Sequence, residues 1–161
     1  MTNFLPALGL GAISGVRSMM GLAFFTNQTS GKSDKKRKQA AAENPAMNLL
    51  NMPQTATVLK VMAAGEMVMD KMPFIPARTD AVPLLGRVAM GGLVGAAVSK
   101  DKWIQGGIVG ALGALVATFV VTYLRKTLNE EVHIPNVVLG IAEDALVTNA
   151  ANAIVHHYEM I

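Results

Sequence analysis

The chain has 161 residues, 52% of them hydrophobic and 16% charged, with a formal net charge of +3 and no cysteine. That is room for one domain, more apolar and less charged than an ordinary soluble one, and rich in Gly, Ala, Val, Leu and Met as closely packed membrane helices are. The missing cysteines exclude disulfides, thiolate metal sites and cysteine nucleophiles.

The first apolar segment, Phe4 to Thr26, carries Gly11 and Gly15 at small-xxx-small spacing and Arg17 in its middle. It either spans or re-enters the bilayer. The N-terminus is apolar before any charge, so the basic-then-apolar layout of a signal peptide is absent and the segment is expected to be retained. Residues 27–53 are polar, with Gly31, Pro45 and the run Lys32, Lys35, Lys36, Arg37 and Lys38, and read as a lysine-rich loop. No aromatics interleave with those bases and they follow an apolar segment directly. The run therefore marks a cytoplasmic loop by the positive-inside rule, and no nucleic-acid partner is expected.

Thr55 to Met72 has helical periodicity, with Val58, Leu59, Met62 and Val68 largely to one side and Glu66 and Asp70 four apart on another. Pro73, Pro76 and Pro83 then interrupt the chain, so this stretch is expected to be irregular backbone at the membrane surface or lining a cavity. A glycine-rich helical hairpin follows over residues 81–124. Its second arm, Ile104 to Leu124, is about 20 uncharged residues, long enough for a hydrocarbon core of roughly 30 Å, and Tyr123, Arg125 and Lys126 mark the boundary. GGLVGAA from Gly91 nearly repeats as GGIVGAL from Gly106, which spaces Gly91 with Gly95, Gly106 with Gly110, and Gly113 with Ala117. Such faces let backbones approach closely, either within the hairpin or against another copy or membrane partner. The last segment, Ile134 to Val155, carries Glu143 and Asp144 mid-helix.

The expected fold is thus all-α, a polytopic membrane helix bundle of four or five hydrophobic segments forming a single membrane domain over residues 1–161. Its informative residues are the charges at membrane depth: Arg17, Glu66, Asp70, Arg87, Glu143 and Asp144, with Lys71 and Arg78 near an end. A charge at the bilayer centre costs about 2.5–3.5 kcal/mol on insertion scales, so these groups should face inward and pair. Arg17 with Glu143 or Asp144, and Arg87 with Glu66 or Asp70, would satisfy both signs. No catalytic constellation is present: His133, His156 and His157 sit at segment ends, and no serine has an evident base. Glu66 and Asp70, on one helical turn, read as an exposed or ion-paired face rather than a metal site, and no cofactor is implied.

Several of these elements occur together in a known family. GVRSMM at Gly15–Met20, GEMVMDKMPFIPART at Gly65–Thr79, Arg87 before the glycine-rich hairpin, and AEDALV at Ala142–Val147 make the chain resemble the domain of unknown function 4126 family of bacterial and plant integral membrane proteins. The likeness covers most of the chain, implies a multi-helix membrane fold and supplies no biochemical activity; the lysine-rich insert departs from it. More loosely, IPART is similar to the proline-arginine element of a superfamily of lipid-carrier translocases with re-entrant hairpins, an analogy under which Arg78 with Arg17 or Arg87 holds a phosphate headgroup. The expected function is membrane transport or permeation through a charged cavity, with Arg17, Arg78 and Arg87 as anion contacts and Glu66, Asp70, Glu143 and Asp144 as coupling or pairing carboxylates. The alternative is a scaffolding membrane subunit whose buried charges lock the helices. The location expected is the bacterial cytoplasmic membrane, multi-pass.

Overall fold

A computed structural model describes residues 4–30, 34–52, 54–69, 80–99 and 102–157, and helices fill nearly all of them. In chain order these are α1 (Leu5–Val16), α2 (Met20–Ser30), α3 (Asp34–Glu43), α4 (Pro45–Leu50), α5 (Thr55–Met69), α6 (Ala81–Val98), α7 (Trp103–Glu130) and α8 (Asn136–His157). There is no strand among the described residues.

The centre is a triplet of α1, α6 and α7. Its helices approach so closely because glycines face one another: a side chain added at Gly11 or Gly91 would meet the backbone of Gly110, one at Gly95 the backbone of Gly106, and one at Gly15 the backbone of Ala114. Gly113 faces α1, 2.7 Å from the Leu8 carbonyl where a Cβ would stand. The small-residue faces are spent inside one chain. The pairs Gly11–Gly110 and Gly15–Ala114 advance together, so α1 runs parallel to α7.

The opposite face of α7 is inverted relative to a soluble protein. Ile104, Ile108, Leu112, Val116, Phe119 and Tyr123 recur every three or four residues and all are exposed, Val116 at 61% and Tyr123 at 74%, while Gly106, Gly110, Gly113 and Ala114 are buried. Water would favour the reverse distribution, whereas lipid does not penalise large apolar side chains. From Ile104 to Leu124 the stripe is about 30 Å long at 1.5 Å per residue, the thickness of a hydrocarbon core. Ala81–Val98, Trp103–Glu130 and Val137–His157 are each long and apolar enough to cross a membrane. The chain is a membrane protein built as a helix bundle.

The first apolar segment does not continue as one helix. Arg17 adopts extended backbone (φ −137°, ψ 107°), α1 ends at Val16, and α2 starts at Met20. A side chain added at Gly21 would meet the Ser14 hydroxyl and the Leu10 carbonyl, the latter at 2.7 Å. In an uninterrupted helix Leu10 and Gly21 would lie about 16 Å apart, so the chain doubles back at residues 17–19. The returning helix is interior: Leu22 and Phe25 are fully buried and join Leu10, Ile13 and Val16 in the main core. On its far side, α8 packs against both short helices, with Ile154 beside Gly9.

The lysine-rich stretch, expected as a loop over residues 27–53, is helical over most of its described length. For α4 the reason lies at Asn44. Its Oδ1 accepts from the backbone N–H groups of Ala46 and Met47 (2.9 and 3.4 Å) and so caps α4, Pro45 fits the first helical position, and its Nδ2 donates to the Ala96 carbonyl at 2.8 Å. Ala46, Met47 and Leu50 are buried beneath. Asn44 thus pins α4 to the C-terminal end of α6. Asn44→Ala removes the cap and the inter-helix bond together, an expected loss of about 2 kcal/mol; amide hydrogen exchange should accelerate at Ala46 and Met47 while the centre of α7 stays protected.

In α5, Leu59 is buried whereas Val58, Val61 and Met62 are exposed, so part of its apolar surface looks outward. Beyond the expected boundary at Leu124, α7 runs on to Glu130, and His133 in left-handed backbone (φ 58°) turns the chain into α8. The Asn129 amide steadies this turn by donating to the Ile134 carbonyl at 3.0 Å.

Candidate charged site at the folded-back tip

Ending α1 inside the protein, where Gly15 and Val16 are buried, leaves its last carbonyls without helical partners. Two buried side chains supply the hydrogens. Arg87 Nη1 of α6 donates to the Gly15 carbonyl at 2.8 Å and the Val16 carbonyl at 2.6 Å, and the Thr118 hydroxyl of α7 lies 2.9 Å from the Gly15 carbonyl and 2.8 Å from that of Ala114. Its one proton is shared between those acceptors. Arg87 is 4% exposed and Thr118 is 1% exposed. An arginine expected to face Glu66 or Asp70 therefore also holds a helix terminus. The Glu66 side chain and all of Asp70 lie outside the described residues, as do Lys71 and Arg78, so that expected pairing falls outside the description.

Next to the capped carbonyls, Arg17 pairs with Asp144 of α8 at 2.5 Å, its own side chain only 2% exposed. The neighbouring acid goes elsewhere: Glu143 pairs with Arg125 of α7 at 3.6 Å. Consecutive helical residues project about 100° apart, so one Glu-Asp step addresses two different helices. Arg125 lies over Gly140, its Nη2 3.6 Å from where a Cβ would stand there. Four elements meet at the tip: the α1–α2 turn, α6, α7 and α8. Of the expected residues the structure unites Arg17, Arg87, Glu143 and Asp144. Thr118 and Arg125 are additions; Arg125 was hidden because it follows Tyr123 and reads as a boundary anchor.

A family model described as a domain of unknown function (DUF4126) matches residues 4–158. The chain belongs to this family. Every helix from α1 to α8 lies within the DUF4126 match, so the glycine-lined triplet and the charged tip both belong to the family region. No curated protein and no solved structure matches the chain.

Proposed function

We propose that this DUF4126 member is a membrane transport or permeation protein that moves an anion, a phosphorylated lipid included, past the α1–α2 tip. The observation that carries this reading is the interrupted helix itself. Irregular backbone at membrane depth occurs where it is buried in protein or lines a cavity, and secondary transporters build their sites at such breaks. Here the break coincides with two buried arginines and a carboxylate. Arg17 and Arg87 serve as anion contacts, joined by Arg78; Asp144 and Glu143, with Glu66, Asp70 and Lys71, exchange partners as the substrate passes.

The host is the bacterial cytoplasmic membrane, with the lysine-rich α3 in the cytoplasm. Because α4 docks at the C-terminal end of α6, α6 begins on the opposite side. α1 runs parallel to α7, so it enters from the cytoplasmic side and α2 returns there. On this reading α1 and α2 form a re-entrant pair that opens on the cytoplasmic side.

The test is uptake of labelled inorganic anions, cations and lipid phosphates by the purified protein in proteoliposomes, comparing wild type with Arg17→Gln and Glu143→Gln after circular dichroism and gel filtration. Transport predicts saturable uptake of an anionic species, reduced at least about tenfold in a folded Arg17→Gln variant. Absence of flux for every species in wild type sinks it. One observation favours a second reading, a scaffolding subunit: Asp144 and Glu143 each have their own arginine, as a helix-locking network requires. A scaffold would show no flux and would lose a partner or an oligomer when one member of either pair is removed and the other is left charged.

A further inference from the structure

Away from the tip, a groove of about 590 Å³ opens on the outer flank of the bundle, where α4 lies against α6 and α7. That volume falls within the roughly 300–1,000 Å³ typical of ligand sites. Pro45 and Leu49 of α4 form one wall, Ala89 and Ala96 of α6 another, and Trp103 and Ala111 of α7 the third. Its length follows the helix axes. Ala96 to Ala89 is about 10 Å and Trp103 to Ala111 about 12 Å at 1.5 Å per residue, so the groove descends along the bundle from the end where α4 docks.

That end is cationic. Lys102 is exposed and precedes Trp103 directly, and α3, joined to α4 through Asn44, carries Lys35, Lys36, Arg37 and Lys38 against Asp34 and Glu43. Lys35 and Lys38 are exposed, and Lys38 stands five residues, about 7.5 Å of helix, before the end of α3 at Glu43. Tryptophan and lysine together mark a headgroup level. An apolar channel running down the bundle from a basic mouth is complementary to one class of molecule: a hydrocarbon chain below a negative headgroup. The wall is also held in place, because the Asn44–Ala96 bond and the buried Met47 and Leu50 fix α4 on α6.

We propose that this groove binds an acyl chain of an anionic phospholipid whose phosphate is held by Lys102 and Lys38. The site is separate from the α1–α2 tip, and it stands whether or not the chain transports anything. Binding tethers the surface helices α3 and α4 to the leaflet they lie on, so that the lysine-rich segment senses the charge of the membrane.

Trp103 is the sole tryptophan of the chain and lines the groove, so its fluorescence reports the occupant. The full chain is reconstituted in phosphatidylcholine vesicles, into which phosphatidylglycerol or phosphatidylcholine with brominated acyl chains is titrated. The mole fraction giving half-maximal quenching should be at least about fivefold lower for brominated phosphatidylglycerol, the contribution of one lysine near a lipid surface. In Lys38→Gln/Lys102→Gln the preference should fall to about one. Ala89→Phe, which fills the deep end, should reduce quenching by both lipids. Equal half-quenching in wild type, or a preference that survives the double lysine substitution, overturns the proposal. So does unchanged quenching in Ala89→Phe, and so does a Trp103 shielded from both lipids as protein density rises, which would put a second copy in the groove.

Discussion

Gly110→Ala should destabilise the protein by about 3 kcal/mol, whereas Gly86→Ala, the same chemical change one helix away, should leave it unchanged or stabilise it by up to about 1 kcal/mol. The opposite signs follow from what each new methyl meets. At Gly110 the Cβ would land on the Gly91 carbonyl and lie 2.9 Å from the Gly95 Cα, both backbone atoms of α6 that cannot rotate away. The same glycine is the platform for α1, since a Cβ at Gly11 would strike the Gly110 backbone. Relief therefore requires α6 and α1 to retreat together, which strips contacts from both interfaces, and overpacking that shifts side chains and backbone costs about 1–3 kcal/mol, here at the upper end. At Gly86 nothing lies within 4 Å, so only the helix propensity of alanine is felt. Unfolding titrations of both variants in mixed micelles measure the difference. Equal stability of Gly110→Ala and wild type would show that the triplet is not clamped by backbone contact.

Much of this architecture was legible in the sequence because lipid imposes simple demands. A run such as Ile104 to Leu124 has few destinations other than a membrane, and repeated glycines at four-residue spacing announce close helix contact. Arg17 in an apolar segment announced a buried partner as well. The choice between Glu143 and Asp144 was not legible, since adjacent residues differ only in the direction they face, and that direction depends on how α8 rotates against α1. The role of Arg87 at the tip was hidden for a different reason. Its acceptors are the carbonyls of Gly15 and Val16, and a carbonyl leaves no mark in a sequence. Thr118 was equally silent, because a lone hydroxyl in an apolar helix ordinarily bonds its own helix, as this one also does with Ala114. Composition hides the α3–α4 helices, although Asn44 followed by Pro45 is a helix start for α4; the density of lysines before it masks that signal. The doubling back at residues 17–19 is not legible because an apolar stretch of this length suits either a span or two short helices, and only the closeness of Gly21 to Leu10 and Ser14 decides between them.

Asp144→Asn should be the most disruptive of the charge substitutions, destabilising the protein by about 3–5 kcal/mol, while Arg17→Met/Asp144→Leu should recover most of that loss. Removing one partner of a buried pair leaves the other charged and without compensation, whereas replacing both by apolar groups of similar volume is often close to neutral. Asp144 sits opposite an arginine that is 2% exposed, and its own side chain is only 12% exposed, so little water can take over the carboxylate's part. Arg17 also forms the turn at which α1 gives way to α2, so a loosened Arg17 should expose residues 17–19 first, as faster amide exchange there before α7 opens. If Asp144→Asn unfolds with wild-type energetics, the pair contributes nothing to the fold. The double variant then separates the two functional readings, which single variants confound with unfolding. It keeps the helices together without either charge. A scaffold whose charges serve only to lock helices should retain its partner or oligomer in that background. A permeation protein that uses Arg17 as an anion contact should remain folded and lose its flux, because the methionine packs in the same place but offers no charge to the passing anion.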